Sequence, residues 1–170
     1  MGSIYLTHRA VNAYTHILII LSLLPLLRST SLKRGHPSRV TVVSSTALVF
    51  HSLAQKSPKP SETVVEYFDD RDTYDGFRRY GESKFVINAF VRRLASVVPS
   101  SEVIVNNFCP GMVATGLDRG LPVWLRGFTF LIRKAMAQTV EVGARTVIHA
   151  AVVAGEESHG KFLRYNQIHP

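Results

Sequence analysis

The 170-residue chain has one cysteine, Cys109. An internal disulfide is therefore excluded, and Cys109, just before Pro110, reads as a small buried apolar residue. Acidic residues are scarce, 12 against 20 Lys and Arg, giving a formal charge of +8 and a pI near 10.0. The basic residues nevertheless occur in ones and twos. No basic run or nucleic-acid module is present, so the excess reads as a solvated basic surface and no nucleic-acid partner is expected. None of the 11 glycines falls into a glycine-rich turn of the kind that cradles phosphates at a helix N-terminus. No metal-ligand set is read from the chain. The longest apolar run, Ile17–Leu27, is about half of the ~20 residues a membrane span requires. Residues 3 to 27 read instead as a helix packed on a sheet, with membrane contact through 17–27 a weaker alternative. No small-x-small cleavage site follows the run, so a signal peptide is not supported.

What is present is a globular composition, 46% apolar and 19% charged, with enough length for one domain and a real core. The chain is organised around Tyr80-Gly-Glu-Ser-Lys84. On a helix, positions four apart lie one above the other, so the phenol and the ammonium share a face. A free phenol titrates near ~10, and a neighbouring cation favours its ionised form. Tyr-x-x-x-Lys is a weak signal alone; its flanks sharpen it. Upstream, Arg39-Val-Thr-Val-Val-Ser44-Ser45 is a β-branched run, with Val40–Ser44 a strand apolar on both faces, as in a buried parallel sheet. Downstream, Val103–Phe108 is a second apolar strand, broken by Pro110-Gly111. A strand, a helix and a strand in this order form a βαβ unit, whose ligands bind beyond the carboxyl ends of the strands. Ser45, Tyr80, Lys84 and the Pro-Gly turn are thereby candidates for one cleft.

Together Val-Val-Ser44-Ser45, Tyr80-x-x-x-Lys84 and Asn107-x-x-Pro110-Gly111-x-Val113-x-Thr115 resemble the short-chain dehydrogenase/reductase family, in the family's own order. The likeness runs from about Val11 to Lys161 and is nearest the retinol-dehydrogenase-like branch, its fungal members above all. It implies an α/β fold: the C-terminal part of a Rossmann-type doubly wound parallel sheet, without the N-terminal dinucleotide-binding strands, in one incomplete domain spanning 1–170. The catalytic residues it implies are Ser45, Tyr80, Lys84 and Asn12. Tyr80 is the general acid or base, Lys84 tunes it and holds the nicotinamide ribose, and Ser45 bonds the substrate oxygen. Asn12 anchors a relay water, while His16, four residues on, reads as structural. Family alignment favours Ser45 over Ser44, although a serine in this place is often only a turn or cap residue. Tyr80, Lys84, Pro110, Gly111, Val113 and Thr115 are the implied cofactor contacts. NADP(H) is expected over NAD(H), with the adenine half of the site missing.

Tyr80 lies 35 positions beyond Ser45, far more than in compact members of the family. The extra residues, within 46–75, read as an inserted loop over the cleft, where Tyr67, Phe68 and Tyr74 could line the site or anchor the loop. The aromatic-rich stretch within 116–138 corresponds to a substrate-binding segment, or to an ordinary amphipathic helix. A helix is expected from about Tyr74 to Val98, another over Thr139–Ala154 ended by Gly155, a polar connector over Ser29–Ser38, and a last short edge strand at Gly160–Leu163.

The resemblance implies an oxidoreductase interconverting a carbonyl and an alcohol on a small lipophilic or secondary-metabolite substrate, in the cytoplasm. The alternative is an inactive truncated remnant that cannot hold the dinucleotide. Without its inner neighbour, strand 40–44 would expose an apolar edge, which a homo-oligomer could cover. A serine hydrolase using Ser45 and His51 is rejected for want of a Gly-x-Ser-x-Gly elbow.

Overall fold

The structure is a computed structural model describing residues 10–53, 61, 63, 66–67, 75–113 and 137–169. A π-helical turn, Ala10–Tyr14, leads into α1, Thr15–Arg34. The strand β1, Ser38–Val43, follows, then a 3-10 turn at Thr46–Phe50 and α2, Gly76–Ala95. Next come β2, Val103–Cys109, and α3, Val140–Ile148, the latter continued by a π turn at His149–Val153. Two short strands, β3 (Phe162–Arg164) and β4 (Gln167–His169), close the chain.

The four strands lie in the order β1-β2-β3-β4, and all but the last pair run parallel. This mostly parallel α/β sheet is the C-terminal part of a Rossmann-type fold. All seven residues of β2 are buried, which is why its sequence shows no polar alternation. Its odd positions face α1 and α2. There Val103 and Val105 join Val42, Ile20, Ile87, Val91, Leu94 and Val98 in the main core. Its even positions face the other side, where Phe108 packs with Ala150, Ala154 and Leu163. Helices thus cover both faces of the sheet, as double winding requires.

The structure differs from several sequence expectations. The connector expected over Ser29–Ser38 is helical as far as Arg34, its Ser29 and Thr30 hydroxyls accommodated within the helix by donating to the Leu26 carbonyl at 2.9 and 2.8 Å. Gly35 ends the helix in the left-handed conformation, φ 70°, its N–H bonded to the Ser31 carbonyl. With this extension the helical stretch Asn12–Arg34 is long and apolar enough to cross a membrane by length and composition. One stripe of it, Ile17, Ile20, Leu24 and Leu27, packs on the sheet, while Leu18, Leu26 and Leu32 stay exposed. Helix α2 is shorter than expected, starting where the Asp75 carboxylate accepts from the Phe77 and Arg78 amides. Ala89 and Val97, although apolar, are exposed. β3 is also not the edge strand: the chain turns through Tyr165 and Asn166, both at positive φ, and β4 pairs back on it.

Candidate active site

At the carboxyl end of β1 the chain passes through Ser44 and Ser45 into the 3-10 turn. The Ser45 hydroxyl oxygen accepts from the Ala47 amide at 3.2 Å and caps that turn. This leaves the hydroxyl proton of a half-buried side chain for another acceptor. Ser44, by contrast, is 3% exposed and its buried hydroxyl has no hydrogen-bond partner among the described residues. Of the two serines, Ser45 is the more exposed.

The turn after Ser45 lies directly on α2. A Cβ on Gly81 would stand 2.6 Å from the Ala47 carbonyl oxygen, so only glycine allows this approach. Gly81 adjoins Tyr80, and the close packing therefore brings the Ser45 segment to the Tyr80 helix. One turn further along α2, Lys84 is buried, its Nζ donating to the Val43 carbonyl at 3.2 Å and lying 5.8 Å from the Tyr80 ring centroid. Burial pulls the Lys84 ammonium below its ordinary pKa, while the nearby Cys109 thiol opposes that shift. Cys109, at the end of β2, accepts from the Gly111 amide at 3.4 Å and lies 3.9 Å from the Thr46 hydroxyl. The ends of both strands and the Tyr80–Lys84 helix are thereby held together.

The Pro110-Gly111 turn follows, with Gly111 at φ +79°. The chain then pairs with itself: the Gln138 amide donates to the Met112 carbonyl at 2.8 Å, and Val113 bridges Gln138. The Val113 side chain packs on α3 so closely that a Cβ on Gly143 would come within 2.7 Å of it. Asn12 is half-buried in the π turn that packs against α2. Such turns recur at functional sites. Thr115, Phe68, Tyr74, most of the 46–75 loop and residues 116–136 lie outside the described residues.

A separate groove of about 350 Å³ runs between α1 and the open edge of β1, lined by His16, Ile20, Leu23, Leu27, Arg39 and Val42 among others. It contains none of the candidate catalytic residues.

Sequence reasoning missed several residues that tie together the elements carrying this site. Glu82 and Arg79, two of the most buried charged residues, form an ion pair at 3.0 Å on α2. His159 ties α2 to β2: its Nδ1 accepts from the Val105 amide at 3.2 Å, and Nε2 lies 3.0 and 3.1 Å from the Ala95 and Val98 carbonyls. Nothing about a lone His or Glu announces such a partner in sequence.

No family model matches the chain. The curated relatives it resembles are fungal. It is 53% identical over 161 residues, 94% of its length, to the short chain dehydrogenase sor7 of Hypocrea jecorina. It is 40% identical, over 90% of its length, to the short-chain dehydrogenase/reductase tropG of Talaromyces stipitatus. The chain spans about half the length of these relatives, 45% and 46%. Among solved structures, it resembles the NADPH-bound carbonyl reductase from chicken fatty liver at a TM-score of 0.63 and 16% identity, covering 99% of this chain and 57% of that one. The carbonyl reductase Sniffer of D. melanogaster gives 0.61 at 17% identity, covering 98% and 56%. At these identities the likeness is one of fold.

Proposed function

The chain belongs by sequence and by fold to the short-chain dehydrogenases/reductases, and we propose that it carries the catalytic half of a nicotinamide-dependent carbonyl–alcohol oxidoreductase. The observation that carries this reading is the packing of the Ser45 turn on Gly81. It draws Ser45 toward Tyr80, with Lys84 buried one helical turn away.

In the reducing direction the Tyr80 hydroxyl gives its proton to the substrate carbonyl oxygen. The Ser45 hydroxyl, whose oxygen is already taken up by the Ala47 amide, donates to that same oxygen. Lys84, fixed by the Val43 carbonyl, supplies positive charge beside the Tyr80 ring and a donor for a ribose hydroxyl. Asn12 holds the water that resupplies the proton. Pro110, Gly111, Val113 and Thr115 make the wall for the nicotinamide end. An ammonium and two hydroxyls, with a glycine at positive φ in the turn after β2, suit a ribose and a nicotinamide. The dinucleotide, when bound, supplies the hydride.

NADPH is the cofactor we favour over NADH, in keeping with the +8 charge and the NADPH-bound chicken reductase of like fold. We assign the site a small lipophilic carbonyl or alcohol, the 46–75 loop the role of its cover, residues 116–138 that of substrate segment, and the protein a place in the cytoplasm. A second copy covering the open β1 edge is the partner this reading needs.

A second reading, an inactive remnant, is favoured by one observation. None of the 11 glycines forms the turn that would take a pyrophosphate. Titrating NADPH and then NADH into the purified chain, followed by nucleotide fluorescence, separates the two. Saturation in the micromolar range, weakened at least tenfold by Lys84→Ala, supports the oxidoreductase. A folded, monodisperse chain that binds neither nucleotide supports the remnant.

A further inference from the structure

The turn that begins at Ser45 does not end on the Tyr80 face of α2. At about 100° per residue, Glu82 lies about 200° round the helix from Tyr80, on its far side. From Ser45 the chain crosses the helix in steps: Ala47 on Gly81, Phe50 at 5.4 Å from Phe77, and His51 stacked at 4.0 Å on Phe85. It arrives at Ser52, whose hydroxyl donates to Glu82 Oε1 at 2.6 Å. Tyr67, from later in the same loop, donates to that oxygen at 3.3 Å. The other carboxylate oxygen takes the Arg79 guanidinium at 3.0 Å, and that guanidinium lies 5.0 Å from the Tyr67 ring. Glu82 is 1% exposed. A carboxyl group is buried in such a place only where donors replace its lost water, and here three do.

We propose that Glu82 is a positioning residue: it ties the strap 46–52 across α2 and thereby holds Ser45 at its set place relative to Tyr80. The role in turnover rests on the function proposed above; the strap itself does not. A short segment whose start carries a reacting hydroxyl must be fixed at its far end as well, or the hydroxyl moves with the segment. The Ser45 end is fixed by β1. The Ser52 end is fixed by a buried charge, and charge-assisted bonds are stronger and more directional than neutral ones.

The test is amide hydrogen exchange on the whole chain in four forms: unsubstituted, Ser52→Ala, Ser52→Thr and Glu82→Gln. Ser52→Ala removes the strap's bond while leaving the Arg79–Glu82 pair whole, so it remains informative should Glu82→Gln not fold. Expected are amides of 47–53 exchanging at least tenfold faster in Ser52→Ala and Glu82→Gln, with strands 38–43 and 103–109 unchanged, and wild-type protection in Ser52→Thr. Equal exchange in all forms overturns the proposal. Acceleration spread equally over both strands does so too, since it marks loss of fold rather than release of a strap. Turnover of a small aromatic ketone with NADPH supplies the second readout. Ser52→Ala should lower kcat about tenfold with KM for NADPH unchanged, and an unaltered kcat with a released strap would overturn the positioning role. If the unsubstituted chain shows no turnover, the proposed activity falls, and the exchange comparison decides the strap by itself.

Discussion

Lys84 is the residue at which burial and charge are most directly opposed. Its ammonium is inside the protein, bonded to the Val43 carbonyl, and its pKa is depressed by that burial. A depressed lysine means that, between its folded value and the unfolded value of about 10.4, the unfolded chain binds more protons at this site than the folded one. Stability then rises with pH across that interval and levels off above it. Lys84→Met fills a similar volume and removes the titration. The urea-unfolding free energy of the unsubstituted chain, minus that of Lys84→Met, should therefore increase with pH on the approach to pH 10. A difference independent of pH would mean that the ammonium is not desolvated in solution. The same residue shows what sequence can reveal. The four-residue spacing from Tyr80 placed both side chains on one face, because helical periodicity is a local property. That the ammonium would be bonded to a strand carbonyl 41 residues earlier is a tertiary fact with no local signature.

At the scale of the element, α2 makes three sets of contacts. Ile87, Val91 and Leu94 meet the core, Tyr80 and Lys84 carry the same stripe back to the cleft, and Arg79 and Glu82, round the helix from it, meet the strap. The first two sets were legible: one is an apolar stripe and the other a motif. The third was not, since its partners Ser52 and Tyr67 lie in a long polar loop whose path no periodicity dictates. Gly81 joins the second and third sets, and its replacement makes a sharp test. Alanine is worth up to ~1 kcal/mol over glycine in a helix interior, yet overpacking against a fixed neighbour costs typically ~1–3 kcal/mol. The two terms nearly cancel, so global stability is a poor indicator. The strap is the better one, because the clash is with the Ala47 backbone at 2.6 Å and the turn has to lift. Gly81→Ala should leave the urea-unfolding free energy within about 2 kcal/mol of the original. Chymotrypsin cleavage after the exposed Phe50 should nevertheless speed up severalfold. Unchanged cleavage would show that the turn does not rest on this glycine.

At the scale of the whole molecule, the sheet ends in β1 on one side and in β4, the last strand of a short hairpin, on the other, and among the described residues no strand pairs with the outer edge of β1. The parallel pairing of 38–43 with 103–108 and its apolar faces were legible from β-branched runs, because a strand buried on both sides must be apolar throughout. The end of the sheet was not. The turn between β3 and β4 uses Tyr165-Asn166 at positive φ instead of a glycine, so the usual hairpin signal was missing. The open side has a second consequence. Beside the β1 edge, α1 turns Leu18 and Leu26 to solvent, 64% and 62% exposed, next to the groove lined by His16 and Leu23. Contiguous apolar surface of this kind, beside unpaired strand groups, drives association. A Leu18→Lys/Leu26→Lys double substitution changes only exposed positions, and each such change costs about 0.5 kcal/mol or less. Light scattering on the purified chain should give a mass above that of one protomer at micromolar concentration, falling to one protomer in the double variant with its circular dichroism unchanged. If both forms scatter as single chains, the exposed α1 face is not what holds copies together.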